Sequence, residues 1–364
     1  MIPKQVFKNK KVLITGHTGF KGSWLTAWLF LLGGKVIGIS NGIPSRPSHY
    51  SLLKIKNKII DKRLDIRNLK KLKIFIKKQQ PDYIFHLAAQ AIVKKSYDNP
   101  LNTWSTNTFG TINILECLKL IKKKCVVIIV TSDKSYKNLE IKRGYNENDK
   151  LGGDDPYSAS KAAADIAIQS YIKSFYLKKK NILIATARAG NVIGGGDWSP
   201  DRLIPDCIRS WSKKNKVLIR NPYSTRPWQH VLDAIYGYII LALNLNKNSN
   251  LHGEIFNFGP VNNQNHNVIY VVKLMKNYWK SVSWNLSKKR NKFFKETFIL
   301  KLNSKKAKKL LNWKPVLTFK ENIFFVIDWY KNFYSNPREV YNLTINQILR
   351  YQKILSKKKK ESIK

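Results

Sequence analysis

The chain has 364 residues, of which 43% are hydrophobic and 12% aromatic, so it is long enough for a large α/β domain and a smaller partner domain. A net charge of +45 would ordinarily suggest nucleic acid or an anionic membrane as a partner. The lysines are scattered along the chain without an aromatic-interleaved basic motif, so we expect neither nucleic acid nor a membrane as a partner.

The cysteines and the apolar segments indicate the compartment. Cys117, Cys125 and Cys207 are far apart and odd in number, and they lie in apolar contexts. They match neither a disulfide framework nor a metal-ligand spacing, so we expect buried thiols in a reducing compartment and no bound metal. The apolar stretch from Trp24 to Leu32 is too short to span a bilayer, and no signal core precedes it. We therefore expect a cytosolic protein.

A strand, a glycine-rich turn and a helix are predicted near the start of the chain. Residues 11–14 (KVLI) are typical of a buried strand, and residues 15–25 (TGHTGFKGSWL) lead into an apolar helix. The glycines permit a tight turn, close approach of the backbone to a pyrophosphate and close helix packing, with the helix N-terminus facing the anion. We assign five residues of this turn to a dinucleotide coenzyme: Gly16, Thr18, Gly19, Phe20 and Gly22.

The next two strands leave the coenzyme type open. The second predicted strand, residues 35–40, ends in Ser40-Asn41-Gly42, where NAD sites often carry an acidic residue. Nothing there excludes a 2′-phosphate, and Arg46 is available to bind one. After the third strand, Asp65 and Ile66 are candidates for the adenine end of the coenzyme. Asp65 serves equally well as a cap for a helix that starts near Asn68.

The fourth strand and the helix after it add further coenzyme contacts. The strand ends in the small residues Leu87-Ala88-Ala89, and small side chains at a carboxyl end leave room for a cofactor. Asn107 lies in the amphipathic helix that follows. A buried asparagine needs partners, so we expect it to bond the backbone or to hold a water near the site.

The fifth predicted strand, residues 126–130 (VVIIV), is a continuous β-branched run, as expected for a central parallel strand. It is followed directly by Ser132, Asp133 and Lys134. Carboxyl ends of central strands face the ligand crevice in a doubly wound sheet, so these three side chains are predicted to meet the substrate. A solvated charged turn is the alternative interpretation.

Residues 155–161 (DPYSASK) predict a helix start with Asp155 as cap and Pro156 at the first helical position. Tyr157 and Lys161 then project from one helix face about one turn apart. A cation beside a phenol lowers its pKa, which would make Tyr157 a base for a substrate hydroxyl. An exposed Tyr/Lys pair on a helix surface is the alternative.

After a sixth strand at residues 182–188, the pattern changes to helices with short strands, which predicts a smaller lobe. We expect a Rossmann domain over residues 1–190, a substrate lobe over 191–355 that is partly interleaved with it, and a basic, disordered tail at 356–364. Candidate substrate contacts are Asn191, Arg202, Arg220 and Arg226, because arginines suit phosphate groups. Any one of these arginines could equally be a surface residue.

The predicted fold is α/β, a Rossmann-type doubly wound parallel sheet. With these segments assembled, the chain resembles the extended short-chain dehydrogenase/reductase family, the NAD-dependent epimerases and dehydratases, over nearly its full length. Within that family, four segments are similar to the 4,6-dehydratases that use CDP-sugars: residues 15–25, 131–134 (TSDK), 187–198 (ARAGNVIGGGDW) and 226–231 (RPWQHV). The dTDP-sugar enzymes instead carry Thr-Asp-Glu where this chain has Ser132-Asp133-Lys134.

The resemblance implies NAD as coenzyme, CDP-glucose as substrate and a 4-keto-6-deoxy sugar nucleotide as product. Tyr157 would take the O4 proton while Ser132 orients that hydroxyl and Lys161 also holds the nicotinamide ribose. Asp133 would protonate the departing O6, and a neutral Lys134 would handle the C5 proton.

A homodimer formed through the helices that follow Asn107 and Tyr157 is a further implication of the resemblance. Three alternatives stay open: another nucleotide-sugar 4,6-dehydratase, a nucleotide-sugar 4-epimerase, and a non-catalytic RNA-binding relative.

Overall fold

The computed structural model describes residues 2–141, 143–260, 266–287 and 300–361. Its strands are β1 (Lys11–Thr15), β2 (Lys35–Ser40), β3 (Ile60–Arg63), β4 (Tyr83–His86), β5 (Cys125–Val130), β6 (Ile182–Ala189), β7 (Val192–Ile193), β8 (Val217–Ile219), β9 (Thr225–Arg226), β10 (Gln229–His230), β11 (Ile255–Phe258), β12 (His266–Asn267) and β13 (Trp284–Leu286). Its α-helices are α1 (Phe20–Leu31), α2 (His49–Leu53), α3 (Leu69–Gln79), α4 (Val93–Asp98), α5 (Pro100–Trp104), α6 (Gly110–Leu118), α7 (Pro156–Tyr171), α8 (Leu203–Ser212), α9 (Val231–Lys247), α10 (Val268–Lys276), α11 (Lys305–Leu311), α12 (Phe319–Ser335) and α13 (Val340–Glu361).

The central sheet has seven strands in the order β11-β6-β5-β4-β1-β2-β3, and every neighbouring pair is parallel. This order confirms the predicted doubly wound α/β fold. The order reverses where β1 lies between β2 and β4, so a ligand crevice is expected outside the carboxyl ends of β1 and β4. β5 lies directly beside β4, which brings its carboxyl end to the same crevice.

The two faces of the sheet are covered by separate apolar layers. Along β5, residues Cys125, Val127 and Ile129 face a layer that includes α3, α6 and α7. Their alternate neighbours Val126 and Ile128 face a larger layer that includes α1 and α9. Because both faces of this strand are buried, its sequence is apolar throughout instead of alternating. The three cysteines are buried free thiols, as predicted.

The later part of the chain is interleaved with the sheet. β11 is the edge strand beside β6, although four short strands and two helices separate the two along the chain. The remaining late strands pair two by two, as β10 with β7, β9 with β12 and β8 with β13. At the carboxyl end of the chain, α13 packs on α1, α2 and α12.

The prediction of a disordered tail is wrong for residues 356–361, because these residues continue α13 as far as Glu361. The Nζ atom of Lys358 donates to the Val316 carbonyl at 2.6 Å and lies 3.3 Å from a carboxylate oxygen of Glu321. Composition suggested a solvated charge run, but these contacts hold the last helical turns against the body of the protein. None of the helices in the described ranges is long and apolar enough to cross a membrane.

Candidate active site

The predicted catalytic residues come from two neighbouring elements. Ser132 and Asp133 follow β5 directly, and Asp133 begins a short 3₁₀ turn that ends at Ser135. Tyr157 lies in the first turn of α7, which Asp155 caps by accepting from the Tyr157 and Ser158 backbone N–H groups at 3.0 Å each. The predicted cap is therefore confirmed, and it fixes where the phenol points.

Three side chains form one hydrogen-bonded chain, in which two hydroxyl groups donate and a carboxyl group accepts. The Oη atom of Tyr157 donates to Ser132 Oγ at 3.5 Å, and Ser132 Oγ donates to Asp133 Oδ1 at 3.1 Å. Ser132 Oγ also accepts from the Lys134 backbone N–H at 3.2 Å, which fixes its position. We call this the Tyr157–Ser132–Asp133 chain. It places a phenol, a hydroxyl and a carboxyl group at one point of the crevice.

The ionisation of Tyr157 differs from the prediction. Burial raises the pKa of the Tyr157 phenol, and this outweighs the lowering by the Ser132 hydrogen bond. Lys161 Nζ donates to the Val130 carbonyl at 3.3 Å. The net pKa shift at Tyr157 is therefore the reverse of the predicted one, because desolvation dominates at the phenol and the ammonium is directed to the end of β5. The role of Lys161 beside Tyr157 stays a prediction.

Asp133 is buried, with 3% of its surface exposed. Within the described part of the chain its Oδ2 atom has no hydrogen-bond partner. A Cβ atom at Gly190 would lie 3.2 Å from that oxygen, so the loop after β6 passes directly beside it. Burial raises the pKa of the Asp133 carboxyl group, against the lowering by the charge of Lys134 and the Ser132 hydrogen bond. A carboxyl group in such a site is suited to hold and deliver a proton.

A buried ion pair supports this corner of the sheet. Arg188 on β6 donates from Nε and Nη2 to the two carboxylate oxygens of Asp165 at 2.9 Å each, and both side chains are at most 1% exposed. Thr131 Oγ1 also donates to Asp165 at 2.9 Å. Burial lowers the pKa of the Lys161 ammonium to about 8, against the attraction of Asp165 one turn along α7. Asp165 was missed in the sequence, although it stands four residues after Lys161.

Lys134 and Arg202 lie at the edges of this cluster. Lys134 is half-buried, and its charge acts on Asp133. Arg202 lies 3.0 Å from Asp197 in an ion pair. Although burial opposes its charge, this pair raises the pKa of Arg202. The charge of Arg202 favours the anion of Tyr157, so the two side chains lie within electrostatic range of each other.

Lys21 is a further member that the sequence did not single out. It is half-buried in the first turn of α1, and its Nζ atom lies 3.5 Å from the hydroxyl of Tyr238 on α9. Burial, together with the charges of Lys161 and Arg202, lowers the pKa of Lys21 to about 7, while Asp133 opposes the shift. The sequence signal that could have identified Lys21 is a lysine in the first turn of an otherwise apolar helix.

The glycine-rich turn fits the pyrophosphate of a dinucleotide. Gly16 has φ of +73°, and a Cβ there would lie 2.8 Å from the Ala88 backbone. A Cβ at Gly22 would lie 2.1 Å from the Gly16 carbonyl oxygen. At Gly19 the helix begins without a side-chain cap, and its first turn has no acidic residue. Bare N–H groups at a helix start in such a cradle suit an anion.

Several predicted coenzyme residues also hold the protein together. Asn107 Oδ1 accepts from the Gln90 backbone N–H at 2.8 Å, and its Nδ2 donates to Ser160 Oγ at 2.9 Å, so it ties the end of β4 to α7. The Ala88 backbone N–H donates to Thr15 at 3.1 Å. Asp65 does not cap α3 as the alternative proposed: Asn68 is the cap, and Asp65 bonds Arg67.

At the end of β2 the residue beside Ser40 is Arg63. Its Nη1 atom donates to Ser40 Oγ at 3.0 Å and to Asp61 at 2.6 Å. Arg63 is 23 residues after Ser40 in the sequence, and the parallel pairing of β2 with β3 brings the two side chains together. The arginine predicted for this place from the sequence is Arg46, which is nearer to Ser40 along the chain.

The other predicted substrate residues have polar contacts of their own. Arg220 is half-exposed and 3.6 Å from Asp201. Arg226 is on β9, and its Nη1 atom donates to the Thr225 carbonyl at 2.8 Å. The Asn191 carbonyl accepts from the Gln229 backbone N–H at 3.1 Å, beside the β7–β10 pair. Within the described ranges, no group of three or more His, Cys, Asp or Glu side chains is arranged to hold a metal ion.

Known proteins resemble this chain over most of its length. A family model described as GDP-mannose 4,6 dehydratase matches residues 13–324. A CDP-glucose 4,6-dehydratase of Salmonella typhimurium is 40% identical over 336 residues, which is 91% of this chain and 93% of that protein. A CDP-paratose 2-epimerase of Salmonella typhi is 25% identical, over 88% of this chain and 98% of its own.

Solved structures share the fold at lower identity. An epimerase from Methanothermobacter thermautotrophicus superposes with a TM-score of 0.79 at 24% identity, covering 92% of this chain and 96% of its own. A dTDP-glucose 4,6-dehydratase from Bacillus anthracis, solved in complex with NAD, superposes with a TM-score of 0.73 at 22% identity, covering 92% of this chain and 99% of its own.

Proposed function

Because the chain belongs to the GDP-mannose 4,6-dehydratase family of extended short-chain dehydrogenase/reductases, we propose that it converts CDP-glucose to CDP-4-keto-6-deoxyglucose. The family confirms the predicted enzyme class, a nucleotide-sugar dehydratase that is formally a lyase. The choice of CDP-glucose is supported by the 40% identity to the Salmonella typhimurium enzyme over nearly the whole of both chains.

The observation that carries the proposal is the Tyr157–Ser132–Asp133 chain. A nucleotide-sugar 4-epimerase needs a base for O4 but no acid for a leaving hydroxyl. Here a buried carboxyl group with a raised pKa is joined through one serine to the phenol that would serve O4. That pairing favours loss of water over epimerisation.

NAD, held by the glycine turn and Lys161, supplies the chemistry of accepting a hydride from C4 and returning it to C6. Tyr157 takes the O4 proton, and Ser132 orients that hydroxyl. Once C4 is a ketone, the C5 proton becomes acidic, and Lys134 is the proposed base, which has to lose its own proton before it can remove that one and later return it. Asp133 protonates O6 so that it leaves as water. The net reaction is CDP-glucose to the 4-keto-6-deoxy product plus water.

The same proposal divides the chain by ligand. Residues 1–190 bind the coenzyme through Gly16, Thr18, Gly19, Phe20, Gly22, Asp65, Ile66, Leu87, Ala88, Ala89 and Asn107. Residues 191–355 bind the nucleotide sugar, and β11 and α9 are the parts interleaved with the first domain. Asn191, Arg202, Arg220 and Arg226 bind the substrate, with Arg202 supported by its position near Tyr157. The buried thiols support a reducing, cytosolic setting.

A homodimer through the region around α5 and α7 is also proposed. Large apolar side chains are exposed there, among them Leu101 at 81%, Phe109 at 61%, Ile166 at 58% and Phe175 at 49%. Contiguous exposed apolar side chains of this size commonly mark a subunit interface.

The proposed function is tested by offering CDP-, dTDP-, UDP- and GDP-glucose with NAD and measuring product mass. We expect a product lighter by one water from CDP-glucose at the highest rate. Replacing Asp133 with Asn should lower this rate by about 10²–10⁴-fold, whereas replacing the exposed Asp154 with Asn should not change it. A product of unchanged mass would favour the epimerase, and equal turnover by Asp133→Asn would remove the assigned acid.

A further inference from the structure

The Tyr157–Ser132–Asp133 chain addresses a proton balance that the reaction imposes. From substrate to product, O4 loses one proton, O6 gains one, and C5 loses one and regains one. In every cycle one proton therefore leaves on the O4 side of the sugar and one proton is delivered on the O6 side. Tyr157 receives the first of these protons and Asp133 provides the second, so a route between the two residues would close the balance.

The structure contains such a route, because the hydroxyl groups of Tyr157 and Ser132 both donate in the direction of Asp133. The Tyr157 hydroxyl donates to Ser132 Oγ at 3.5 Å, and the Ser132 hydroxyl donates to Asp133 Oδ1 at 3.1 Å. Ser132 is 5% exposed and Asp133 3%, so bulk water has little access to the carboxyl end of this route. Hydrogen bonds of this kind are often long without substrate and tighten once it is bound.

We propose that the proton removed from O4 is stored on Asp133 by transfer through Ser132 and is the proton that later leaves with O6. The O4–H bond breaks as the Tyr157 oxygen takes that proton, and the Tyr157 hydroxyl proton passes to Ser132 Oγ. The Ser132 proton passes to Asp133 Oδ1. The electron pair of the former O4–H bond closes the C4 carbonyl as the C4 hydride goes to the nicotinamide coenzyme. This inference rests on the proposed function.

The ionisation of the two end groups supports this direction. Burial raises the pKa of Tyr157, so the residue rests as a phenol, and a phenol can accept the O4 proton only if it passes on its own. Burial also raises the pKa of Asp133, so its carboxylate accepts a proton more readily than an exposed one would. The charges facing Asp133 are those of Lys21 and Lys134, and those facing Tyr157 include Arg202 and Asp155.

The test separates C4 oxidation from water loss. CDP-6-deoxyglucose has the C4 hydroxyl but no hydroxyl at C6, so it can be oxidised and has nothing to eliminate. The full chain with bound NAD is mixed with this compound in a weakly buffered dye solution. NADH absorbance and proton release are then followed together. We expect NADH to form with almost no proton released, because the proton stays on Asp133.

Variants of the middle residue make the test specific. In Ser132→Ala the route is broken, so we expect oxidation at least about tenfold slower and about one proton released for each NADH formed. Ser132→Thr keeps the hydroxyl and should restore both values. Ser170→Ala is the matched control, because Ser170 is exposed on α7 and lies outside the route.

Release of one proton per NADH by the unmodified protein would overturn the inference. Oxidation and proton retention by Ser132→Ala at the level of the unmodified protein would overturn it as well. Dehydration of CDP-glucose is measured on the same preparation. A preparation that dehydrates CDP-glucose and yet releases the proton contradicts the storage step alone, whereas one that neither dehydrates CDP-glucose nor forms NADH contradicts the proposed function and the storage step with it.

Discussion

Burial acts on Tyr157 and Asp133 in the same direction with different chemical results. It raises the pKa of both, because desolvation disfavours the anion of each. The phenol of Tyr157 is therefore protonated at rest. The carboxyl group of Asp133 keeps its proton to a higher pH than an exposed carboxyl group does. Tyr157 and Asp133 meet at the carboxyl end of β5, where burying two polar groups costs more free energy than burying apolar ones.

Replacing Tyr157 with Phe should abolish C4 oxidation, because the ring remains and only the proton acceptor is lost. We expect a fall of about 10²–10⁴-fold in the rate of NADH formation when CDP-glucose is added to the NAD-loaded protein, measured by absorbance. Tyr223→Phe, at a side chain 74% exposed, is the control and should behave as the unmodified protein. NADH formation at the normal rate in Tyr157→Phe would contradict the assigned role.

Among the elements, the β1–α1 turn depends on the absence of side chains. Gly22 packs against the Gly16 carbonyl, and Gly16 holds a left-handed conformation against the end of β4. The same turn delivers the N-terminus of α1 to the crevice. The proposed coenzyme binding and the folding of the first βαβ unit therefore depend on the same few atoms.

Gly22→Ala should weaken NAD binding by at least about tenfold and lower the melting temperature, because its Cβ would lie 2.1 Å from the Gly16 oxygen. Ser335→Ala, at the exposed end of α12, is the control. Calorimetric titration with NAD checks both variants. Unchanged affinity in Gly22→Ala would mean that the turn does not cradle the coenzyme.

The contact between α9 and α13 should make stability depend on pH. Asp233 accepts from the Val316 backbone N–H and the Tyr351 hydroxyl at 2.7 Å each, and burial raises its pKa from 3.8 to about 7. The folded state therefore binds a proton more tightly than the unfolded state. Its contribution to stability is full below about pH 4 and is lost as pH rises through about 7.

Asp233→Asn keeps both acceptor contacts and cannot ionise. We expect its stability advantage over the unmodified protein to grow between about pH 4 and about pH 7, to a value on the order of 2–4 kcal/mol. Thermal unfolding at a series of pH values measures this, with the exposed Asp154→Asn as control. Parallel stability curves for Asp233→Asn and the unmodified protein would refute the buried-acid account.

The elements that show a local sequence pattern can be predicted from the sequence, whereas contacts between residues far apart in the chain cannot. The run at 126–130 and the cap at Asp155 are local patterns, and both are confirmed. Strands of two residues, such as β9 and β10, have no periodicity to detect. The Arg63–Ser40 and Lys21–Tyr238 contacts join residues 23 and 217 positions apart, so only the folded sheet brings them together.

At the scale of the molecule, apolar and charged surfaces have separate roles. The net charge of +45 is spread over exposed lysines and favours solubility of the folded chain. Several of the exposed apolar side chains, among them Leu101, Phe109 and Ile166, belong to the segments around α5 and α7. Sequence composition indicates the spread of charge. The positions of the exposed apolar side chains depend on which helix faces the fold leaves uncovered.

Ile166→Lys should convert the proposed dimer to a monomer, because it places a charge on an apolar interface. Light scattering coupled to size-exclusion chromatography would then give half the mass of the unmodified protein. The matched control is Leu349→Lys on α13, where the side chain is 44% exposed and the helix packs on α1, α2 and α12. A monomeric unmodified protein, or an unchanged mass for Ile166→Lys, would contradict this interface.

In the proposed reaction, one pocket oxidises C4, removes water and returns the same hydride to C6. This is tested with CDP-glucose that carries deuterium at C4, followed by mass spectrometry and NMR of the product. We expect a product lighter by one water with the deuterium now at C6. A product of unchanged mass, or one in which the deuterium has been lost, would contradict it.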